Sequence, residues 1–366
     1  MHLTLRMEYG GLERLVDIFA KKMDRNEFEV SICSLDGGGS FLDDLRKCGI
    51  PDYVFNRRPG IIDLSLLARL ISLIKGKHID VLHSHSGCSF YGAIAGRFGG
   101  VKGIIHTDHG RLIPDRRGLR LEDKIASMII NKYIAVSDDL YDYLLRVVKI
   151  QKKKLATIIN GVDTELFRPF PKEQIREIKR EFGLVEDSKV IGTVCRLDPV
   201  KNLFFMIEAL KDVLNSHPEA KILIVGEGQE RGRIEDAKSK YGIADKVILL
   251  GERNDVERII PIFDLFVLPS LSEGTSMTIL EAMACGIPVV ASEVGGNGRL
   301  VRENINGYLF KLENPETLVH KVTELLEDDK ERQELGRAGR EIVLREFGFS
   351  KMLEKYLELY TSLARA

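Results

Sequence analysis

The chain has 366 residues, 44% apolar and 30% charged, with 33 Gly and 11 Pro; this ordinary globular composition excludes a disordered, collagen-like or coiled-coil chain, and the length suits two domains. Fifty-four basic against 55 acidic residues leave a formal charge of −1, so nucleic acid meets no broad basic field. The balance is uneven: residues 1–160 carry 25 basic and 19 acidic side chains and the remainder 29 and 36, a basic half that is either solvated surface or a site for anionic partners.

Short β-type runs alternate with longer helical patterns from one end to the other, the pattern of parallel sheets flanked by helices. In chain order HLTL, FEVSICSL, PDYVF, IDVLHS, GIIHT, KYIAVS and LATIIN read as strands, with LERLVDIFAKK, SFLDDLRKCG and SFYGAIAGRFG as amphipathic helices between them. The run from Arg57 and Arg58 through IIDLSLLARLISLIKGK is apolar at helical spacing with basic ends. A core-packed helix is expected there, with a helix lying on a membrane surface as the alternative. The stretch NGVDTELFRPFPKE from Asn160, with Pro169 and Pro171, reads as an irregular linker. Beyond it SKVIGTVCR, AKILIVG, KVILLG, LFVLP and IPVVAS have the β-branched, doubly apolar character of strands buried on both faces. The closing FSKMLEKYLELYTSLA sets Phe349, Met352, Leu353, Tyr356, Tyr360 and Leu363 on one stripe that needs a partner surface.

Cys33, Cys48, Cys88, Cys195 and Cys285 form an odd, widely spaced set without a CxxC pair. They argue against a disulfide framework or a thiolate zinc site and for a reducing compartment. With no leader pattern and no apolar run of ~18 residues, a cytoplasmic protein is expected. Two doubly wound domains in series place their ligand sites at the carboxyl ends of the strands, and a shared interdomain cleft is the expected seat of chemistry.

The most informative stretch runs from Pro269 to Pro288. A buried strand enters a short glycine-containing loop and then a helix, so the amides of Thr275, Ser276, Met277 and Thr278 lie near a helix start suited to an anion. Glu273 falls in the loop and Glu281 in the first helical turns, a separation that suits hydroxyl recognition on a sugar or ribose. The plainer alternative is a capping box, Thr278 to Glu281. Upstream, IGTVCRLDPVKNL places Arg196 just past a strand and Lys201 at the next helix start; together they could neutralise a diphosphate, or be solvated surface cations. Gly10-Gly11 opens a helix where backbone could approach a phosphate, although tight turns use such pairs everywhere. His83 and His85, on one face of a strand end, could join His106, Asp108 and His109 as a metal cluster of a hydrolase; locally satisfied strand-end histidines are the alternative. Arg111, Arg116, Arg117 and Arg120 form a basic run suited to an anionic partner or membrane surface.

GGLE near the start, INGVD at the linker, the Arg196–Lys201 pair, VGEG, and above all EGTSMTILEAMACGIPVVAS resemble the family-4 (group 1) retaining glycosyltransferases of the GT-B fold. The likeness covers essentially the whole chain in the expected order, and Glu273 to Glu281 matches the family's E-x7-E signature. It implies two Rossmann-like, doubly wound parallel-sheet α/β domains facing across a cleft. The first is an acceptor-binding domain over 1–165, with a crossover helix at 349–366 returning to it; the second is a nucleotide-sugar donor-binding domain over 171–346.

By the same resemblance Arg196 and Lys201 bind the donor diphosphate, and the amides of Thr275, Ser276, Met277 and Thr278 cradle it. Gly10 and Gly11 approach the phosphates, Glu281 holds the ribose, Glu273 contacts the transferred sugar, and His109 lies against that sugar near the reacting centre. The family's first strand is usually longer than the stretch before Gly10, so either Met1 is a downstream start or the first strand is short. No Asp-x-Asp element occurs, so no metal and no cofactor are expected. The donor is a nucleotide-sugar, UDP-linked by commonness with GDP as the alternative, and the acceptor a glycan or lipid-linked one of surface polysaccharide or glycolipid assembly, at an anionic membrane surface. Rival readings are a nucleotide-sugar epimerase or phosphorylase of the same fold, a binding module, and the His/Asp metallohydrolase.

Overall fold

The computed structural model describes residues 1–8, 10–57, 62–111 and 115–365; Arg58, at the head of the apolar run, lies outside them. The chain forms two compact units, Met1–Ile159 with Met352–Ala366, and Asn160–Lys351.

The first unit runs β1 (His2–Thr4), α1 (Gly11–Lys22), β2 (Ile32–Ser34), α2 (Ser40–Lys47), β3 (Asp52–Val54), α3 (Leu64–Gly76), β4 (Val81–His85), α4 (Ser89–Gly99), β5 (Gly103–Asp108), α5 (Arg117–Ile129), β6 (Lys132–Ala135), α6 (Asp138–Tyr143) and β7 (Leu155–Thr157). Its sheet has the order β3-β2-β1-β4-β5-β6-β7, and every pairing is parallel. β1 spans three residues. The apolar run forms α3, whose Leu66, Leu67, Leu70 and Ile74 are buried among core residues that include Leu3, Leu82 and Tyr91. It is a core-packed helix, held at its start by Asp63, whose carboxylate accepts from the Leu66 amide.

The second unit contains α7 (Lys172–Glu181), β8 (Lys189–Val194), α8 (Leu203–Ser216), β9 (Ala220–Val225), α9 (Arg231–Lys240), β10 (Val247–Gly251), α10 (Val256–Ile259), β11 (Leu265–Leu268), α11 (Met277–Ala284), β12 (Val289–Ser292), α12 (Asn297–Leu300), β13 (Gly307–Phe310), α13 (Pro315–Glu327) and α14 (Asp329–Ile342). The sheet order is β10-β9-β8-β11-β12-β13. Strands β11 and β12 are buried on both faces, which is why they carry uninterrupted apolar runs. Sequence patterning misses β13, four residues only, although Asn306-Gly307 ahead of Tyr308-Leu309-Phe310 is a turn followed by aromatic strand formers. The segment after Asn160 is packed rather than free: Val162 bridges to Gly348, and Phe167 is buried.

The last helix, α15 (Phe349–Arg365), enters the first unit from Met352 onward. Its stripe finds the expected partner surface, with Met352, Tyr356 and Tyr360 buried. Leu363 lies where a Cβ on Gly103 would come within 2.6 Å of it, so only glycine admits the helix this close. The docking is polar as well. Tyr360 Oη pairs with His83 Nδ1 at 2.6 Å, His83 Nε2 with Thr107 Oγ1 at 2.8 Å, and Thr107 Oγ1 with Tyr356 Oη at 3.0 Å. A buried hydroxyl needs such partners, and here each supplies the other's.

Among the described residues no helix is long and apolar enough to cross a membrane, and all five cysteines are free thiols.

Candidate functional site

In the second sheet β8 and β11 are neighbours, and the chain winds away from them in opposite directions. Their carboxyl ends therefore bound a crevice at the point where strand order reverses, the place where open α/β sheets bind ligands. The loops that follow them are joined. The Leu271 amide donates to the Val200 carbonyl at 2.8 Å, Lys201 Nζ donates to Glu273 Oε1 at 2.6 Å, and Ser270 Oγ donates to the same oxygen at 2.6 Å. The Glu273 side chain is 8% exposed and that of Lys201 20%, so the pair is fixed where screening is weak. Arg196 differs: its side chain is 71% exposed, with Nη2 3.0 Å from Asp198.

The loop ends at α11. Ser276 is the N-cap, its Oγ accepting from the Ile279 amide at 3.4 Å. The capping-box alternative fails, because Thr278 is already the second helical residue. Thr275, Ser276 and Glu281 are buried, and the first-turn amides of α11 carry the partial positive charge of a helix start. The structure thus gathers Lys201, Glu273 and residues 275–278 at one crevice.

Sequence reasoning missed what seats a third loop, the one after β9, against the loop after β8. Gly226, φ +138°, would put a Cβ 1.8 Å from the Cys195 carbonyl oxygen, and Gly228, φ +157°, one 2.6 Å from that of Leu197. The loop after β9 is thereby pressed onto the backbone that carries Arg196, and the Leu197 amide donates to Glu227 at 2.9 Å. The signal was present in VGEG, read only as a family trait.

In the first sheet the reversal lies between β1 and β4. Gly10, extended, caps α1, and a Cβ on it would meet the Glu13 carboxylate at 2.3 Å; Gly11 is the first helical residue. His109 follows β5, with its amide bonded to Ser86 Oγ at 2.8 Å and Nε2 3.0 Å from His85 Nδ1.

The proposed metal cluster does not assemble. His83, His85 and His109 share a face with Thr107, whereas His106 pairs with Ser84 at 2.9 Å on the opposite face and packs on Tyr133. Asp108 is bound to Arg111. Arg111 is likewise no surface cation: only 8% exposed, it also bonds Asp115 at 2.8 Å and Asp123 at 2.9 Å. Burial opposes its charge, and the carboxylates of Asp108, Asp123 and Asp115 outweigh that and hold it protonated. Arg120 lies 3.2 Å from Asp115, which leaves Arg116 and Arg117 exposed at the start of α5.

Four buried histidines and the half-buried His109 are held neutral. Burial lowers His2 and His109 to about 3 and His106 to about 4, and holds His83 and His85 well below the usual value. The unfolded chain takes up protons below about pH 6.5 while the folded one does not. The contribution of His2, His106 and His109 is therefore intact above that pH and is lost as pH falls toward 4–3, by up to ~1.4 kcal/mol per pH unit for each of the three. Thermal unfolding followed from pH 7.5 to 4.5 should show Tm dropping steeply below 6.5, and a flat profile would refute neutral burial.

A cavity of about 600 Å³ opens beside Met1, Val30, Lys77 and Val81, at the amino edge of the first sheet.

The family model described as Glycosyl transferases group 1 matches residues 174–342, and that described as Glycosyltransferase Family 4 matches residues 9–166. The Escherichia coli UDP-Gal:alpha-D-GlcNAc-diphosphoundecaprenol alpha-1,3-galactosyltransferase is 28% identical over 99% of this chain and 96% of its own. N-acetyl-alpha-D-glucosaminyl L-malate synthase of Bacillus anthracis is 26% identical over 83% and 80%. Among solved structures, Anabaena Alr3699/HepE in complex with UDP-glucose superposes with a TM-score of 0.87 at 23% identity, covering 99% of this chain and 100% of that one. WaaG, a glycosyltransferase involved in lipopolysaccharide biosynthesis, gives 0.78 at 16% identity over 98% and 99%. These likenesses identify the two-sheet architecture as GT-B.

Proposed function

The chain belongs to the group 1, family 4 glycosyltransferases, and from that premise we propose a retaining, metal-independent enzyme that moves a sugar from a UDP-sugar to a glycan or lipid-linked acceptor in surface polysaccharide or glycolipid assembly. The observation that carries this reading is the Lys201–Glu273 pair fixed beside the start of α11. Transfer breaks the bond between C1 and a diphosphate oxygen, forms one between C1 and the acceptor oxygen, and passes the acceptor's proton to the departing phosphate. Charge grows on the leaving group, so donors aimed there stabilise the transition state more than the ground state.

Lys201, Arg196 and the amides of residues 275–278 supply that without metal. Glu273 orients Lys201 through Oε1 and meets hydroxyls of the transferred sugar. Glu281 takes the ribose, Gly10 and Gly11 let backbone approach the phosphates, and His109 serves the sugar. The galactosyltransferase relative, whose name specifies UDP-Gal and a diphosphoundecaprenol acceptor, supports both halves of the proposal.

Thermal shifts across a nucleotide-sugar panel test it. UDP-sugars at a hundred times Kd should stabilise by about 2.7 kcal/mol, with transfer following when acceptor is added. No stabilisation by any nucleotide-sugar would sink the reading, and epimerised donor without acceptor would establish the epimerase instead.

The acceptor reading now rests on α5 rather than on Arg111. Leu121, Ile125 and Met128, at 60%, 41% and 65% exposure, form an i, i+4, i+7 stripe beside Arg116 and Arg117, the composition of a helix that seats on anionic lipid. Flotation with anionic vesicles should show salt-sensitive association that is lost in Leu121→Glu/Met128→Glu; equal binding by that variant would discard it.

A further inference from the structure

His109 ends a chain of three imidazoles. Its Nε2 lies 3.0 Å from His85 Nδ1, and His85 Nε2 lies 3.0 Å from His2 Nδ1, with the planes of the His2 and His85 rings only 10° apart and their centroids separated by 5.4 Å. The remaining nitrogen of His109, Nδ1, is buried without a partner. The small cavity bounded by these rings, Phe19 and Tyr356 has room for about 10 Å³, one water at most, so the contacts are direct. His83 stands outside the chain, because both its nitrogens are taken by Tyr360 and Thr107.

A neutral imidazole has one N–H and one lone pair. Each of the two N···N contacts holds one proton, so the chain can run in two senses only. In one, His2 Nδ1–H donates to His85, His85 Nδ1–H donates to His109 Nε2, and His109 must carry its own proton on Nδ1. In the other, His109 Nε2–H donates to His85, His85 Nε2–H donates to His2, and His109 Nδ1 is a bare acceptor. Any mixed arrangement sets two protons or two lone pairs face to face in a dry site, which costs a buried unsatisfied group.

We propose that His85, backed by His2, is a positioning residue: it holds the His109 ring and determines whether Nδ1 offers a proton or a lone pair to the ligand. The ligand is the sugar hydroxyl assigned to His109 above, and this part rests on that assignment; the imidazole chain itself does not. The two residues act on transfer only through His109, so they should move turnover while leaving the nucleotide's hold untouched.

The test uses the full chain with ¹⁵N-labelled histidine and two-bond proton–nitrogen correlation at pH 7. In the wild type, His2, His85 and His109 should each show one protonated and one bare nitrogen, all in the same sense. In His85→Leu the His109 signals should lose that single tautomer. Turnover should fall at least tenfold with UDP affinity changed less than twofold, and His85→Asn, whose amide can still meet His109 Nε2, should recover part of it. Unchanged His109 signals in His85→Leu, doubly protonated rings, or stoichiometric zinc held by His2, His83 and His85 would overturn the proposal. Should His85→Leu not fold, the wild-type and His85→Asn spectra decide it. If the wild type transfers no sugar, the functional reading fails while the tautomer signals still judge the chain.

Discussion

Lys201→Ala should lower kcat/KM for sugar transfer at least tenfold, ~1.4 kcal/mol or more of lost transition-state stabilisation. In the role proposed for it, the ammonium, held against Glu273 by a 2.6 Å bond, would enter the reaction already oriented, with no reorganisation needed as charge develops on the leaving group. Removing it also strands a carboxylate that is 8% exposed, so the variant should unfold at lower temperature than the wild type. Arg196→Ala carries the same tenfold expectation for turnover with a different companion. Its side chain is 71% exposed, and its loss should leave Tm within about a degree, since exposed ion pairs contribute little. Steady-state kinetics beside thermal unfolding separates the two, and near-wild-type turnover in both variants would remove the diphosphate assignment.

Arg111→Ala should destabilise the first unit by ~3–5 kcal/mol, the usual consequence of removing one side of a buried ionic cluster. Asp108, Asp115 and Asp123 converge on this guanidinium, each 3–4% exposed, and without it three carboxylates would face one another with little water to screen them. For a unit of this size the loss corresponds to a Tm lower by ~10 °C. A loss under about 1 kcal/mol in denaturant unfolding would mean that the cluster does not support the fold.

Much of this was legible in the sequence, and the physical reason is local. The strands β11 and β12 announce themselves because burial on both faces demands consecutive apolar residues, and the loop from Glu273 into α11 because chain polarity dictates where a strand must end and a helix begin. What stayed hidden depends on neighbours distant in the chain. Arg111 reads as one of a basic run, yet Asp123, on a helix not yet placed, removes it from the surface. His83, His85 and His106 read as one cluster until pairing of β4 with β5 sends His106 to the other face of the sheet. The glycines at 226 and 228 are unremarkable in a string of letters; only the carbonyls of Cys195 and Leu197 explain why no side chain can stand there.

The dependence of the first unit on Tyr356 and Tyr360 has a bearing on biosynthesis. Residues 1–159 leave the ribosome well before the segment that covers His83 and Thr107, and in the interval the complete second unit must be translated. During that time the nascent amino-terminal half exposes an uncapped sheet face, to be sealed only at the end. A chain stalled or clipped before residue 352 should therefore accumulate with its second unit native and its first one sticky, a prime substrate for chaperones and proteases.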